Sequence, residues 1–140
     1  MSLAAGWSLF TLAFLSATLL PGGSEAYLYY LIENKNNIPL IIIVATIGNT
    51  LGAFLNYLIG RWAKPLLYHK WIGFKRRTLL KARFIFRKRG SYILFFAFLP
   101  IIGDPITAVA GILEYSITRF FLWVFLGKMI RYSVIAYLVA

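Results

Sequence analysis

Residues 38–60, IPLIIIVATIGNTLGAFLNYLIG, run for 23 positions without a charged side chain. As a helix such a run reaches about 34 Å, enough to cross the roughly 30 Å hydrocarbon core of a bilayer. A continuous transmembrane helix is therefore expected there. Gly48, Asn49, Gly52, Asn56 and Gly60 fall on one stripe of it, and Gly48 with Gly52 makes the small-xxx-small pattern of closely packed membrane helices. Asn49 and Asn56 either belong to that packing stripe or line a polar path, because amides in hydrocarbon need partners.

Beyond Gly60 the chain turns basic. Of its 15 Lys and Arg residues, 11 lie between Arg61 and Arg89 with no acid among them, and outside that stretch four basic residues balance four acids. The formal charge of +11 is thus a local feature, not a general nucleic-acid footprint. A basic loop between apolar segments belongs in the cytoplasm by the positive-inside rule. Trp62, Trp71, Phe74, Phe84 and Phe86 interleave with the charges, which suits an interfacial segment on anionic lipid headgroups and excludes nucleic acid as the expected partner.

On both sides of this centre lies an apolar segment that is broken. Leu3 to Leu20 meets Pro21, Gly22 and Gly23 and resumes from Ala26 to Ile32; Tyr92 to Ile102 meets Gly103 and Pro105, with Pro100 just before, and resumes from Ile106 to Leu113. Met1 to Phe10 carries no Lys or Arg, so the first segment reads as mature structure and not as a signal peptide. Phe120 to Ala140 is a second continuous apolar run. With 61% apolar and 14% charged residues, the bilayer is the expected solvent.

An offset of 79 residues lays Leu20-Pro21 on Leu99-Pro100, Glu25 on Asp104 and Gly48 on Gly127. Each half is then a broken segment followed by a spanning one. If both broken segments return to the side they entered, the halves form an inverted repeat. Corresponding broken segments in two halves are the usual pointer to a transporter's midplane site. The expected architecture is a single all-α membrane domain over 1–140: a first half 1–60, a basic cytoplasmic loop 61–91 and a second half 92–140, with two re-entrant helical hairpins. The other reading is two ordinary kinked helices.

Glu25, Asp104, Lys128 and Arg131 fall inside apolar segments. Four isolated charges would oppose insertion by about 10 kcal/mol, so they must pair or reach a water-filled cavity. Lys128 and Arg131, three residues apart, share one helix face. The quartet is either a substrate or proton site or an ion-pair lock that only holds the fold. Soluble-enzyme signatures are missing: there is no cysteine, and His69, the only histidine, lies in the basic stretch. No metal centre, cofactor or catalytic residue is expected, and a hydrolase built on the two acids ranks well below the other readings.

The stretches Leu20 to Glu25, Gly48-Asn49-Thr50-Leu51-Gly52, and Arg89-Gly90 leading to Leu99 to Pro105 resemble the DedA family, whose eukaryotic relatives are called SNARE-associated or VTT-domain proteins. The resemblance covers nearly the whole chain and is nearest to the short bacterial YqaA-type branch. It implies a multi-pass protein of the bacterial inner membrane with two re-entrant hairpins and a role in moving lipids or lipid-linked carriers between leaflets, tied to proton-motive force and envelope integrity. Glu25 and Asp104 would be the two hairpin acids. Many members carry Arg three residues before and after the second-hairpin proline, and Ala97 and Gly103 stand there in this chain. Phosphate recognition would then fall to Lys128 and Arg131. At 16.0 kDa the chain is small for an enclosed pathway, which leaves room for a homodimer.

Overall fold

Apolar periodicity without strand signals gives helices, and the described residues hold helices only. In a computed structural model, residues 1–18, 23–34, 37–67, 76–99 and 103–140 are described. Pro21, Gly22 and Pro100, expected as helix breaks, lie outside them, as does 68–75 of the basic stretch, with His69. The helices are α1 (Leu3–Thr18), α2 (Gly23–Glu33), α3 (Ile38–Leu67), α4 (Arg76–Phe95), α5 (Gly103–Ile112) and α6 (Ile117–Val139), with a 3-10 turn at Phe96–Phe98 after α4.

Within these, Ile38–Pro65 and Ile117–Val139 are long and apolar enough to cross a membrane. Their outer faces are exposed: Ile59 is 51% exposed, Leu122 54% and Val134 51%. A soluble protein would bury such faces, and lipid need not. At 11 and 10 residues, α2 and α5 are each about 15 Å long, half a bilayer.

Two departures from the sequence reading concern the basic stretch. Helix α3 continues past Gly60 through Arg61, Trp62 and Lys64, with Pro65 in its final turn. Helix α4 starts at Arg76 and runs without interruption through Gly90 to Phe95. The second half of the basic stretch is thus the outer end of the first arm of 92–113, not a separate helix. Lys and Arg are good helix formers, and no Pro separates them from the apolar residues that follow.

The core has two clusters. Leu9, Ala13, Leu28, Leu31, Ile41, Ala45, Tyr132 and Ala136 bring α1 and α2 onto α3 and α6. Ala53, Tyr57, Leu94, Ala97, Ala110, Phe120 and Val124 bring α4, the 3-10 turn and α5 onto the same pair. Glycines set the closeness. A Cβ at Gly48 would lie 2.6 Å from the Phe10 carbonyl oxygen of α1, and one at Gly127 would lie 2.5 Å from that of Phe95 in α4. Gly60 and Gly111 do the same between α3 and α5, against Ala108 and Tyr57.

The ends of the helices are tied in pairs. Ser2, Ala5, Tyr30 and Asn34 surround one surface cleft, so α1 begins where α2 ends. At the other end of the molecule, Lys64 of α3 pairs with Glu114 beyond α5 at 3.0 Å. The Tyr57 hydroxyl donates to the Tyr115 carbonyl at 2.5 Å, and Ser91 of α4 bonds the Tyr115 hydroxyl at 3.1 Å. Helix α5 therefore ends beside the middle of α4, at Phe86 to Ser91. Glu114, at φ 54°, closes it: the N–H groups of Glu114 and Tyr115 donate to Gly111 and Ala110, a left-handed cap usually filled by glycine.

Candidate functional site

Glu25 lies in the first turn of α2 and Asp104 in the first turn of α5, where unpaired N–H groups and the helix dipole favour a negative charge. Both turns meet one face of α6. The Lys128 ammonium donates to Asp104 Oδ1 at 3.2 Å, and the Arg131 guanidinium pairs with Glu25. The structure thus brings all four ionisable residues together, and the i, i+3 spacing on α6 allots one base to each half-length helix. Thr107 Oγ1 donates to the Asp104 carbonyl at 2.6 Å and tightens the first turn of α5.

Exposure is unequal across the pairs. The side chains of Lys128 and Arg131 are 1% and 12% exposed, those of Asp104 and Glu25 26% and 32%. The cations form the floor and the carboxylates the accessible rim. Lys128 is the twelfth of the 23 residues of α6, so the floor sits at mid-helix.

Below Arg131 runs a neutral network that sequence reasoning missed. The Tyr132 hydroxyl bonds Ser24 Oγ at 2.9 Å and accepts from Asn49 Nδ2 at 3.0 Å, and the same amide reaches the Ala13 carbonyl at 3.1 Å. Four helices meet there: α1, α2, α3 and α6. The available signal was position, since Ser24 adjoins Glu25 and Tyr132 adjoins Arg131. Asn49 Oδ1 and Thr50 Oγ1 are buried without a hydrogen-bond partner. Asn56 Nδ2 donates to the Ala17 carbonyl at 2.7 Å, so both amides of the stripe bind the backbone of α1. Gly48 and Gly52 lie against that same helix, at Phe10 and Phe14.

Gly23 and Gly103 head α2 and α5, and Pro105 sits in the first turn of α5, where its missing N–H costs nothing. A Cβ at Gly103 would collide with the Ala97 carbonyl, and Ala97 itself is wholly buried. The two positions where the family often has arginine are here packed against each other, with no room for a long side chain at either. Among the described residues no group of acids and histidine has the makings of a metal site. What the arrangement can do is exchange one carboxylate on Lys128 or Arg131 for another anion, or carry a proton on a rim acid.

Away from the quartet, Glu114 sits outside the spanning segments. The Lys64 hydrogen bond holds its carboxyl below the ordinary glutamate value, with the charges of Lys64, Arg61 and Arg83 adding to the pull.

A family model described as the VTT domain matches residues 8–140. The chain is 38% identical to an uncharacterized protein of Haemophilus influenzae, across 93% of this chain and 84% of that one. It is 32% identical to the inner membrane protein YqaA of Escherichia coli, across 93% and 87%. A Lactococcus lactis protein named alkaline phosphatase-like is 32% identical over 64% of this chain and 46% of its own length. No solved structure matches the chain. With its apolar helices, its half-length α2 and α5 and a family match over almost its whole length, the chain belongs to the VTT-domain, or DedA, family of membrane proteins.

Proposed function

We propose that the protein moves an anionic, lipid-like substrate between the leaflets of the bacterial inner membrane, with Glu25, Asp104, Lys128 and Arg131 as its substrate and proton site. One observation carries this reading: two half-length helices, each with an acid in its first turn, end on a pair of buried cations at mid-helix. Broken helices whose N-termini meet at the midplane are how transporters hold anions in a bilayer. The accessible side of the carboxylates lets a substrate or a proton compete for the cations. A lipid phosphate that displaced a carboxylate would leave that acid to take up a proton, which couples movement to the proton gradient. Asn49 of α3, hydrogen-bonded to Tyr132 next to Arg131 and with its Oδ1 unpartnered, adds a polar group beside the quartet.

On this reading α1–α2 and α4–α5 are re-entrant hairpins and 1–60 and 92–140 are inverted halves. The packing supports it, because contacts come in matched sets. Helix α1 lies on α3 as α4 lies on α6; α1 meets α2 as α4 meets α5; α2 crosses to α6 as α5 crosses to α3. Both chain ends then lie outside the cytoplasm. A reporter fused after Ala140 should be active only on the periplasmic side, and a cytoplasmic signal would remove the inverted repeat.

A second reading has an observation of its own: every charge in the quartet already has a partner, as an ion-pair lock in an envelope-integrity factor would require. Matched double neutralisation separates the two. Glu25→Gln with Arg131→Gln, and Asp104→Asn with Lys128→Gln, strand no charge and should restore folded yield. In reconstituted vesicles a transport site predicts leaflet exchange at the protein-free rate for both. Exchange at the unmodified rate in a folded double variant would leave only the lock.

A further inference from the structure

At the end of the molecule opposite the termini, α4, α6 and the turn between α5 and α6 line an open cavity of about 280 Å³, its rim side chains exposed. Three arginines ring it: Arg83 and Arg87, four residues apart on one face of α4, and Arg119 in the first turn of α6. The floor is Phe86 against Tyr115, edge to face at 5.3 Å, both buried. Tyr115 is held from two sides, by Tyr57 on its carbonyl and Ser91 on its hydroxyl. The cavity wall is therefore part of the core.

The charge around this cavity is only partly countered within the chain. There are four acids in the sequence. Glu25 and Asp104 belong to the quartet, and Glu33 lies on α2, hydrogen-bonded to Tyr29. Glu114 lines the cavity, where its one negative charge is salt-bridged to Lys64 and also feels Arg83. One carboxylate against three guanidinium groups and an ammonium leaves an excess of positive charge around one space, for an anion from outside the protein to meet.

Guanidinium forks match the oxygens of a phosphate two at a time, which an ammonium cannot do. Ser116, at the head of α6, makes no capping bond with its hydroxyl, and the first turn of that 23-residue helix carries no acid. Both features leave donors for an anion at the same place. The volume lies just below that of sites for whole small molecules, and suits a headgroup rather than a complete lipid. The basic end of the chain faces the cytoplasm by the positive-inside rule, where the leaflet is anionic.

We propose that Arg83, Arg87 and Arg119, with Ser116, form a binding site for a phosphate group on the cytoplasmic face, distinct from the quartet on α6. The phosphate is either that of an anionic lipid or free phosphate. The site does not depend on transport: it would anchor and orient the protein on the inner leaflet, or hold a phosphate-bearing ligand beside the entrance to the α4–α5 arm.

The test uses the whole chain, delipidated in mild detergent. Protein is incubated with mixed micelles holding equal phosphatidylglycerol and diacylglycerol, which lacks the phosphate, and the bound lipid is counted by native mass spectrometry. The unmodified protein should favour phosphatidylglycerol at least about tenfold, the worth of a charge-assisted hydrogen bond. Arg83→Gln with Arg87→Gln and Arg119→Gln should abolish that preference. Lys81→Gln with Lys88→Gln and Arg89→Gln, which removes the same charge from exposed positions away from the cavity, should keep it. If both triples fall equally, binding is bulk attraction and the site is overturned. Inorganic phosphate, compared with chloride at equal ionic strength, identifies the source: phosphate that stabilises the unmodified protein but not the arginine triple, with no lipid preference, assigns the site to free phosphate. No difference between the unmodified protein and that triple in either arm overturns the proposal. Replacing the three arginines by lysine retains charge and folding while removing the fork, and should still weaken binding several-fold.

Discussion

Helices α3 and α6 solve one packing problem with different polar cargo. Residues 38–60 and α6 are each 23 residues long, and the twelfth residue follows a glycine in both: Asn49 after Gly48, Lys128 after Gly127. Each glycine admits the carbonyl of the first arm in its own half, Phe10 or Phe95. The next side chain in each case is almost wholly buried, Asn49 at 1% and Lys128 at 1%. Yet Asn49 joins a neutral network of backbone and hydroxyl groups, whereas Lys128 holds an acid. A common backbone frame thus leaves the polar position free to differ, and the acids of α2 and α5 are both served by α6 alone.

The largest effect should come from the charged member of that comparison. Lys128→Met strands Asp104 against hydrocarbon, and breaking a buried pair costs about 3 to 5 kcal/mol, with the lower end expected because Asp104 is partly exposed and can take a proton. Asn49→Leu removes an amide whose partner Tyr132 retains Ser24, and should cost about 1 to 2 kcal/mol. Unfolding in mild detergent reads both. Equal losses would mean that the ion pair contributes no more than a neutral hydrogen bond.

The glycines come next. Gly48→Ala and Gly127→Ala each push a methyl group onto a backbone oxygen that cannot move independently of its helix, and should cost about 1 to 3 kcal/mol apiece. The expected result is two similar losses. A variant tolerated on one helix and not on the other would show that only one first arm is tightly docked, and the matched packing of the halves would fail.

Smallest is the surface pair at the basic end of the molecule. Glu114→Gln should cost under about 1 kcal/mol, because Lys64 and Glu114 are both partly solvated. Its pH dependence has a definite sign. The folded carboxyl titrates below the unfolded value of 4.5, so its contribution is complete above that value and disappears as pH falls through the depressed folded value. Stability curves of the unmodified protein and Glu114→Gln should therefore run parallel at neutral pH and converge only in acid. Convergence near neutrality would place the pair elsewhere than on Glu114.

Much of the architecture could be read in the sequence, because hydropathy and charge are properties of short runs. The span at 38–60, the terminal span and the acids just after Gly23 and Gly103 all came from local composition, and the bilayer admits few other arrangements of such runs. The continuation of α3 through Arg61 to Lys64, and of α4 inward from Arg76, escaped that reading. Charge was taken as a boundary there, whereas helix propensity crosses it without penalty.

The sequence by itself determined that four charges inside apolar segments need partners, and that Lys128 and Arg131 share a face. It had no means to decide which acid each would meet, since two bases one helical turn apart differ by only about 5 Å along the axis. Only the packing of α2 on α6 and of α5 on α3 assigned Glu25 to Arg131 and brought Asp104 within reach of Lys128. The same holds for Tyr132 between Ser24 and Asn49, which stand 108 and 83 residues from it, and for Arg83, Arg87 and Arg119 around one cavity. A hydrogen bond or shared counter-ion depends on distances of about 3 Å between side chains on different helices, and no pattern along one chain encodes such a distance.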